Sequence, residues 1–267
     1  MAALDRGTIR AMAKRKEGVG KGKLDQVLAR IQGSARLKAL WAASNITAIN
    51  RMHINDHGPM HVRIVMRLGL KLLRLLVAAG VQPGVVDHGL PPEDAEVVVA
   101  LAAALHDVGH AIHREEHELL SLVLAGPLIE ELIAGLYEEP ARTVIMGETL
   151  HAIYSHRRDA LPLTVEAGII KVADALDMEK GRARIPFRVG EPTIHSVSAL
   201  AIEKVELRPG KEKPVLIFVR MSNSAGIFQL DNLLKEKLNR SGLKDYIEVA
   251  AEIKGEEKKI IERYSID

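Results

Sequence analysis

Apolar residues recur at helical spacing through PMHVRIVMRLGLKLLRLLVAAG (59–80). Pro59 suits a first helical turn and Gly80 suits a stop. Residues 1–52 carry a similar pattern, broken at EGVGKGK (17–23). VQPGVVDHGLPPED (81–94) has the Pro and Gly content of a loop. Val97–Leu105 is nine apolar residues without polar alternation, which predicts a buried central helix from about Glu93 to Asp107. Helical patterns continue through 115–157 and 163–178, and no strand is predicted before about residue 190.

The period changes after GRARIPFRVGEPT (181–193). Ser196–Leu207 has strand character, and PVLIFVRM (214–221) is the short apolar run of a central strand. SNSAGIFQLDNLLKEKLNRSG (222–242) predicts a helix closed by Gly242. YIEVAAEI (246–253) alternates, placing Ile247, Val249, Ala251 and Ile253 on one side. The fold class expected is a mainly α-helical bundle with a small C-terminal α+β module (β-β-α-β). Its parts are a basic helical segment at 1–48, a helical domain at 49–190 and the module at 191–267. No internal repeat or low-complexity tract interrupts them.

The chain of 267 residues, 47% hydrophobic, can bury a sizeable core. With a net charge of +2, the whole chain does not call for nucleic acid. The N-terminus differs locally, with ten Lys/Arg against two acids between Arg6 and Lys38. That basic face can meet phosphate or nucleic acid, or simply be solvated. Cysteine is absent, which excludes disulfides and thiolate metal sites and fits a cytoplasmic protein. Six Asn and four Gln, with no Cys, lean toward a thermophile. Leu68–Ala79 is broken by Lys71 and Arg74, so no membrane span is expected, and the N-terminus lacks the apolar core of a secretory signal.

Ten of the eleven histidines fall between residues 53 and 156. LHDVGHAIHREEH (105–117) holds His106, Asp107, His110, His113 and His117. A carboxylate at the end of a buried helix needs a partner, either a bound cation or an arginine. On an ideal helix, positions 106, 110, 113 and 117 would share one face, within roughly 60°, although Gly109 can interrupt it. All four cannot reach one ion, which favours ligands at the two ends and second-shell or substrate roles between them. His57 and His61, four apart, share a face if both are helical. His151 and His156 are offset by about 140°, against a shared metal. Asp174, in an apolar helix, needs a reason to be there, whereas Asp177 is read as a helix-surface carboxylate. Lys171, Arg157, Arg158, Lys180, Arg182 and Arg184 are candidate phosphate-binding cations.

These pieces resemble the HD superfamily of metal-dependent phosphohydrolases, whose motif is a His, a His-Asp pair and a distant Asp. The matching residues are His61 in GPMHVRIV, the pair His106-Asp107, and Asp174 in IIKVADALD, and the resemblance covers about residues 50–185. HDVGH is similar to the version in dNTP triphosphohydrolases, which implies a catalytic part for His110 and, through its neighbour, His113. Two-metal members add histidines, and His117 in HELLS and His156 in AIYSH match them. The ligand set implied is His61, His106, Asp107, His117, His156 and Asp174, with His57 and His151 as further possibilities. The Gly-Tyr-Pro signature of cyclic-di-GMP phosphodiesterases is missing. The whole chain also resembles a prokaryotic, largely archaeal group described as phosphatase/phosphodiesterase/nucleotidases.

The resemblance implies one or two divalent ions (Mn, Fe, Co, Ni or Zn rather than Mg) and hydrolysis of a phosphomonoester or phosphodiester, such as a nucleotide, by a metal-activated hydroxide. Asp107 would bridge the ions, Lys171 and the arginines would hold phosphate, and His110 would protonate the leaving oxygen. Two other classes remain open: a di-iron oxygenase, and a regulatory protein binding RNA or a nucleotide, with SNSAG (222–226) presenting backbone N–H groups to phosphate. A homodimer through the C-terminal module is also expected.

Overall fold

The computed structural model describes residues 22–180, 194–253 and 256. Arg182, Arg184 and residues 1–21 of the basic segment lie outside these. Helices α1 (Lys23–Gly33) and α2 (Ala35–Asn45) meet at Ser34, whose side chain caps α2 by accepting from the Leu37 amide. A π-helical turn, Ile46–Arg51, prolongs α2. Helix α3 (Pro59–Ala78) opens on Pro59 and gives way to Gly80 at φ 88°.

Helix α4 (Asp94–Leu105) has every residue from Val97 to Leu105 fully buried. A helix apolar on all sides has to be surrounded, and α1, α3, α6 (Ala141–Ser155) and α7 (Val165–Ala175) pack around it. Each buried Val or Leu contributes roughly 1.5–3 kcal/mol, which anchors α4 firmly in the bundle. At its start the buried Asp94 is paired with Lys23 at 3.0 Å and accepts the Tyr137 hydroxyl at 2.8 Å. Helix α5 (His117–Ile133) packs on α6 and on the turn that follows α4.

The C-terminal module begins with a helix where a strand was expected. Residues Ile194–Ala201 form α8, and strand β1 runs from Ile202 to Pro209. Alternation in SVSALA does not distinguish the two, because its small residues suit close helix packing as well. Ser198 is buried and its hydroxyl accepts from the Gln229 amide at 2.8 Å, a tertiary contact that no local pattern announces. Strand β2 (Val215–Met221) is central, as expected, antiparallel to β1 and parallel to β3 (Ile247–Ile253). The crossover to β3 contains a second π-helical turn, Leu230–Leu234, continued by α9 (Lys235–Asn239). The order is therefore α-β-β-α-β. Along β3 only Ile247 is buried, while Val249 and Ile253 stay 40% and 37% exposed at the sheet edge.

The module sits directly on the bundle. A Cβ on Gly168 of α7 would lie 2.3 Å from the Ser241 carbonyl, so only glycine admits this approach. β1 and β2 pack on α3, while α9 and the preceding turn pack on α7. Among the described residues, no helix is long and apolar enough to cross a membrane.

Candidate metal centre

Helix α4 stops at Leu105, and a short 3-10 turn, Val108–Ala111, reverses the chain before α5 starts at His117. The histidines of 105–117 are therefore not on one helix face. They reach one point by a turn, which Gly109 makes possible. A Cβ there would fall 2.1 Å from the His117 carbonyl, and its amide donates to the Ser121 hydroxyl at 2.8 Å. Ser121 in turn donates to the His106 carbonyl at 2.6 Å. Trp41 of α2 donates its indole N–H to the Ala104 carbonyl at 2.9 Å, fixing the end of α4 from the other side.

Six residues converge here: His61 from α3, His106 and Asp107 after α4, His117 at the start of α5, His156 capping α6, and Asp174 in α7. All but Asp174 are buried. Asp107 divides them. Its Oδ2 lies 3.2 Å from His61 Nε2 and 3.4 Å from His106 Nε2, and His61 Nε2 is 3.4 Å from Asp174 Oδ1. Its Oδ1 lies 3.3 Å from His117 Nε2 and 3.7 Å from His156 Nε2. Two groups able to hold an ion follow: His61, His106 and Asp174, and Asp107, His117 and His156. A third group, His57, Asp107 and His110, adjoins them, with the rings of His57 and His110 4.4 Å apart.

The outward nitrogens orient these rings. His106 Nδ1 lies 3.0 Å from the Ala103 carbonyl, His117 Nδ1 3.0 Å from the Arg114 carbonyl, and His156 Nδ1 2.5 Å from the Ile153 carbonyl. His61 Nδ1 is 2.6 Å from Asp177 Oδ2. Carbonyl and carboxylate oxygens only accept, which directs a proton to each Nδ1 and leaves Nε2 as the nitrogen that can offer a lone pair to a cation. Burial pushes His106 down to about 3, which keeps that ring neutral. His61 and His106 then set two lone pairs 3.0 Å apart, and His117 aims one at a carboxylate oxygen. His156 Nε2 is buried without a hydrogen-bond partner. Acceptors facing acceptors in a buried space are unfavourable unless a cation lies between them. The donor set fits metal ions on both sides of Asp107.

The two carboxylates suit that purpose. Burial alone would raise Asp107, but the surrounding imidazoles, His106 first, hold it well below the usual range. Burial likewise opposes ionisation of Asp174, and the Lys237 ammonium, followed by His61 and His106, holds it low. His110 is buried, with Arg114 Nη1 3.0 Å from its Nε2, and burial pushes it down to about 2. A neutral His110 has no ready proton to give, and its Nδ1 is buried without a hydrogen-bond partner.

Other expected site residues lie apart. Lys171 is buried and spends its ammonium on the carbonyls of Ser155, Arg157 and Ala160, tying the end of α6 to α7 instead of meeting a phosphate. His113 is exposed and accepts from the Glu115 amide, and His151 accepts from the Leu163 amide. Arg157 pairs with Asp159, and Lys180 approaches Glu203 at 3.9 Å. Arg158 does line the pocket over the centre, held by Glu236. Asp177, read as a surface carboxylate, has its side chain only 1% exposed against His61. It stands three residues after Asp174, a spacing visible in ADALD. Arg114 lines the same pocket and sits within the histidine run, while Lys237 also lines it and carries no signal in its local sequence.

Comparison with known proteins agrees with this geometry. Residues 60–179 match the family described as the HD domain. An uncharacterized protein of Methanocaldococcus jannaschii is 44% identical over 224 residues, covering 84% of this chain and 86% of that protein. No solved structure matches the chain. The matched segment contains His61, the His106-Asp107 pair and Asp174 as well as His117 and His156. Members of the matched family are generally metal-dependent phosphohydrolases. The chain belongs to the HD domain family.

Proposed function

We propose that this protein is a two-metal phosphohydrolase that cleaves a small phosphomonoester or phosphodiester, with nucleotides the first class to examine. The observation that supports this reading above all is the division of Asp107, one oxygen toward His61 and His106 and the other toward His117 and His156. When bound, divalent ions supply an activated water near neutral pH and polarise the oxygens of a phosphate. His61, His106, Asp107 and Asp174 hold one ion, and Asp107, His117 and His156 the other. Carbonyls at Ala103, Arg114 and Ile153 and the carboxylate of Asp177 lock the ring tautomers in advance. Arg114 and Arg158 bring positive charge to the cavity, whose volume is about 270 Å³, at the low end for small-molecule sites.

The test starts with tag-free protein, its metals counted by elemental mass spectrometry after reconstitution. About two equivalents per chain, with turnover of a phosphoester from a panel of nucleotides and simple phosphates, is the expected result. Protein that takes up no metal overturns the reading. Iron-dependent consumption of O₂ with an organic substrate, and no phosphate release, would replace it with an oxygenase.

A further inference from the structure

The cavity over the metal centre is not made by the bundle alone. Its outer wall comes from Asn232, Leu233, Glu236 and Lys237, all in the crossover of the C-terminal module. Lys237 Nζ is paired with Asp174 Oδ2, while Oδ1 of the same carboxylate faces His61. Its side chain is 22% exposed. An ammonium has three donors, and a single carboxylate oxygen uses one of them. Its position is set from both sides of the interface. Gly168 lets the Ser241 segment touch α7 about one and two-thirds turns before Asp174, and Glu236 is tied to Arg158 beyond the end of α6. A flexible surface lysine has no such anchoring.

We infer that the module completes the substrate pocket, with Lys237 binding a phosphoryl oxygen of the substrate beside Asp174. This rests on the phosphohydrolase reading above. It also gives the module a task at the centre. The bundle provides groups that hold cations, and the module provides a fixed positive charge where phosphate oxygens would project away from them. Asp174 keeps both partners, because its two oxygens point in different directions.

The test uses the full-length, metal-loaded protein and inorganic phosphate as the probe. Phosphate affinity is measured by isothermal titration, with metal content counted in the same samples. Losing one charge-assisted contact in Lys237→Met should weaken phosphate roughly 10- to 100-fold, leave the metal count unchanged, and be largely restored in Lys237→Arg. Unaltered phosphate affinity in Lys237→Met overturns the inference and leaves the phosphohydrolase reading intact. Loss of metal in Lys237→Met overturns it as well, since Lys237 would then only hold Asp174 in place. Wild-type protein that takes up no metal overturns the reading of the centre and the inference together.

Discussion

The two halves of the centre are built differently. On one side of Asp107, His61 and Asp174 project from within α3 and α7 and His106 closes α4, all anchored in the packed core. On the other side, His117 is the first residue of α5, reached through the His110 turn, and His156 caps α6. The first half has a second carboxylate, Asp174, and a third, Asp177, behind His61. The second half has only the shared carboxylate of Asp107 among its converging residues, and its rings lie against main-chain carbonyls, with Glu118 Oε2 also 3.3 Å from His117 Nδ1. The first half should hold its ion more tightly, because it has more negative charge and less freedom at its ligand positions.

That contrast can be broken in a graded way. Asp107→Ala has the largest expected effect, since both halves lose a ligand. Metal should fall from about two equivalents to near zero, with hydrolysis gone, and retention of one full equivalent would contradict the shared carboxylate. His156→Ala comes next. Elemental analysis should find the ion of the second half lost and that of the first kept, and loss of both ions would abolish the distinction between halves. Asp177→Asn is milder. Weakening the carboxylate behind a metal-binding histidine typically costs 10- to 100-fold in affinity, so metal titration should show one site weakened and the other unchanged. The smallest effect belongs to His113→Ala, which should change neither metal content nor turnover by more than about twofold, as expected of an exposed surface substitution. A larger loss would return His113 to the site.

Much of the helical bundle is legible in the sequence because burial on all sides leaves a plain mark. The run Val97–Leu105 can only be a central element, and it is. The six residues that converge at the centre were legible as an ordered group of residue types, each in an apolar context. Its geometry was not, since the helix ends at Leu105 rather than continuing through His117. Asp177 was misread because periodicity places a residue on a face without saying what covers that face. Lys171 was misread for a related reason: a lysine in an apolar helix was given to phosphate, and three carbonyls take its protons instead. Alternation in β3 grouped Val249 and Ile253 on one side but says nothing of how far that side is covered, and both stay exposed.

One regularity in the centre has an evolutionary consequence. His106, His117 and His156 each donate to the carbonyl three residues earlier, at Ala103, Arg114 and Ile153. A main-chain carbonyl survives every substitution of its own side chain. Those three orientations are thus insulated from drift at the residues that enforce them, and a lineage could change Ala103, Arg114 or Ile153 without turning a ring. His61 has no such insurance, because its orientation is entrusted to a side chain 116 positions away. The two positions 61 and 177 should therefore change together or not at all.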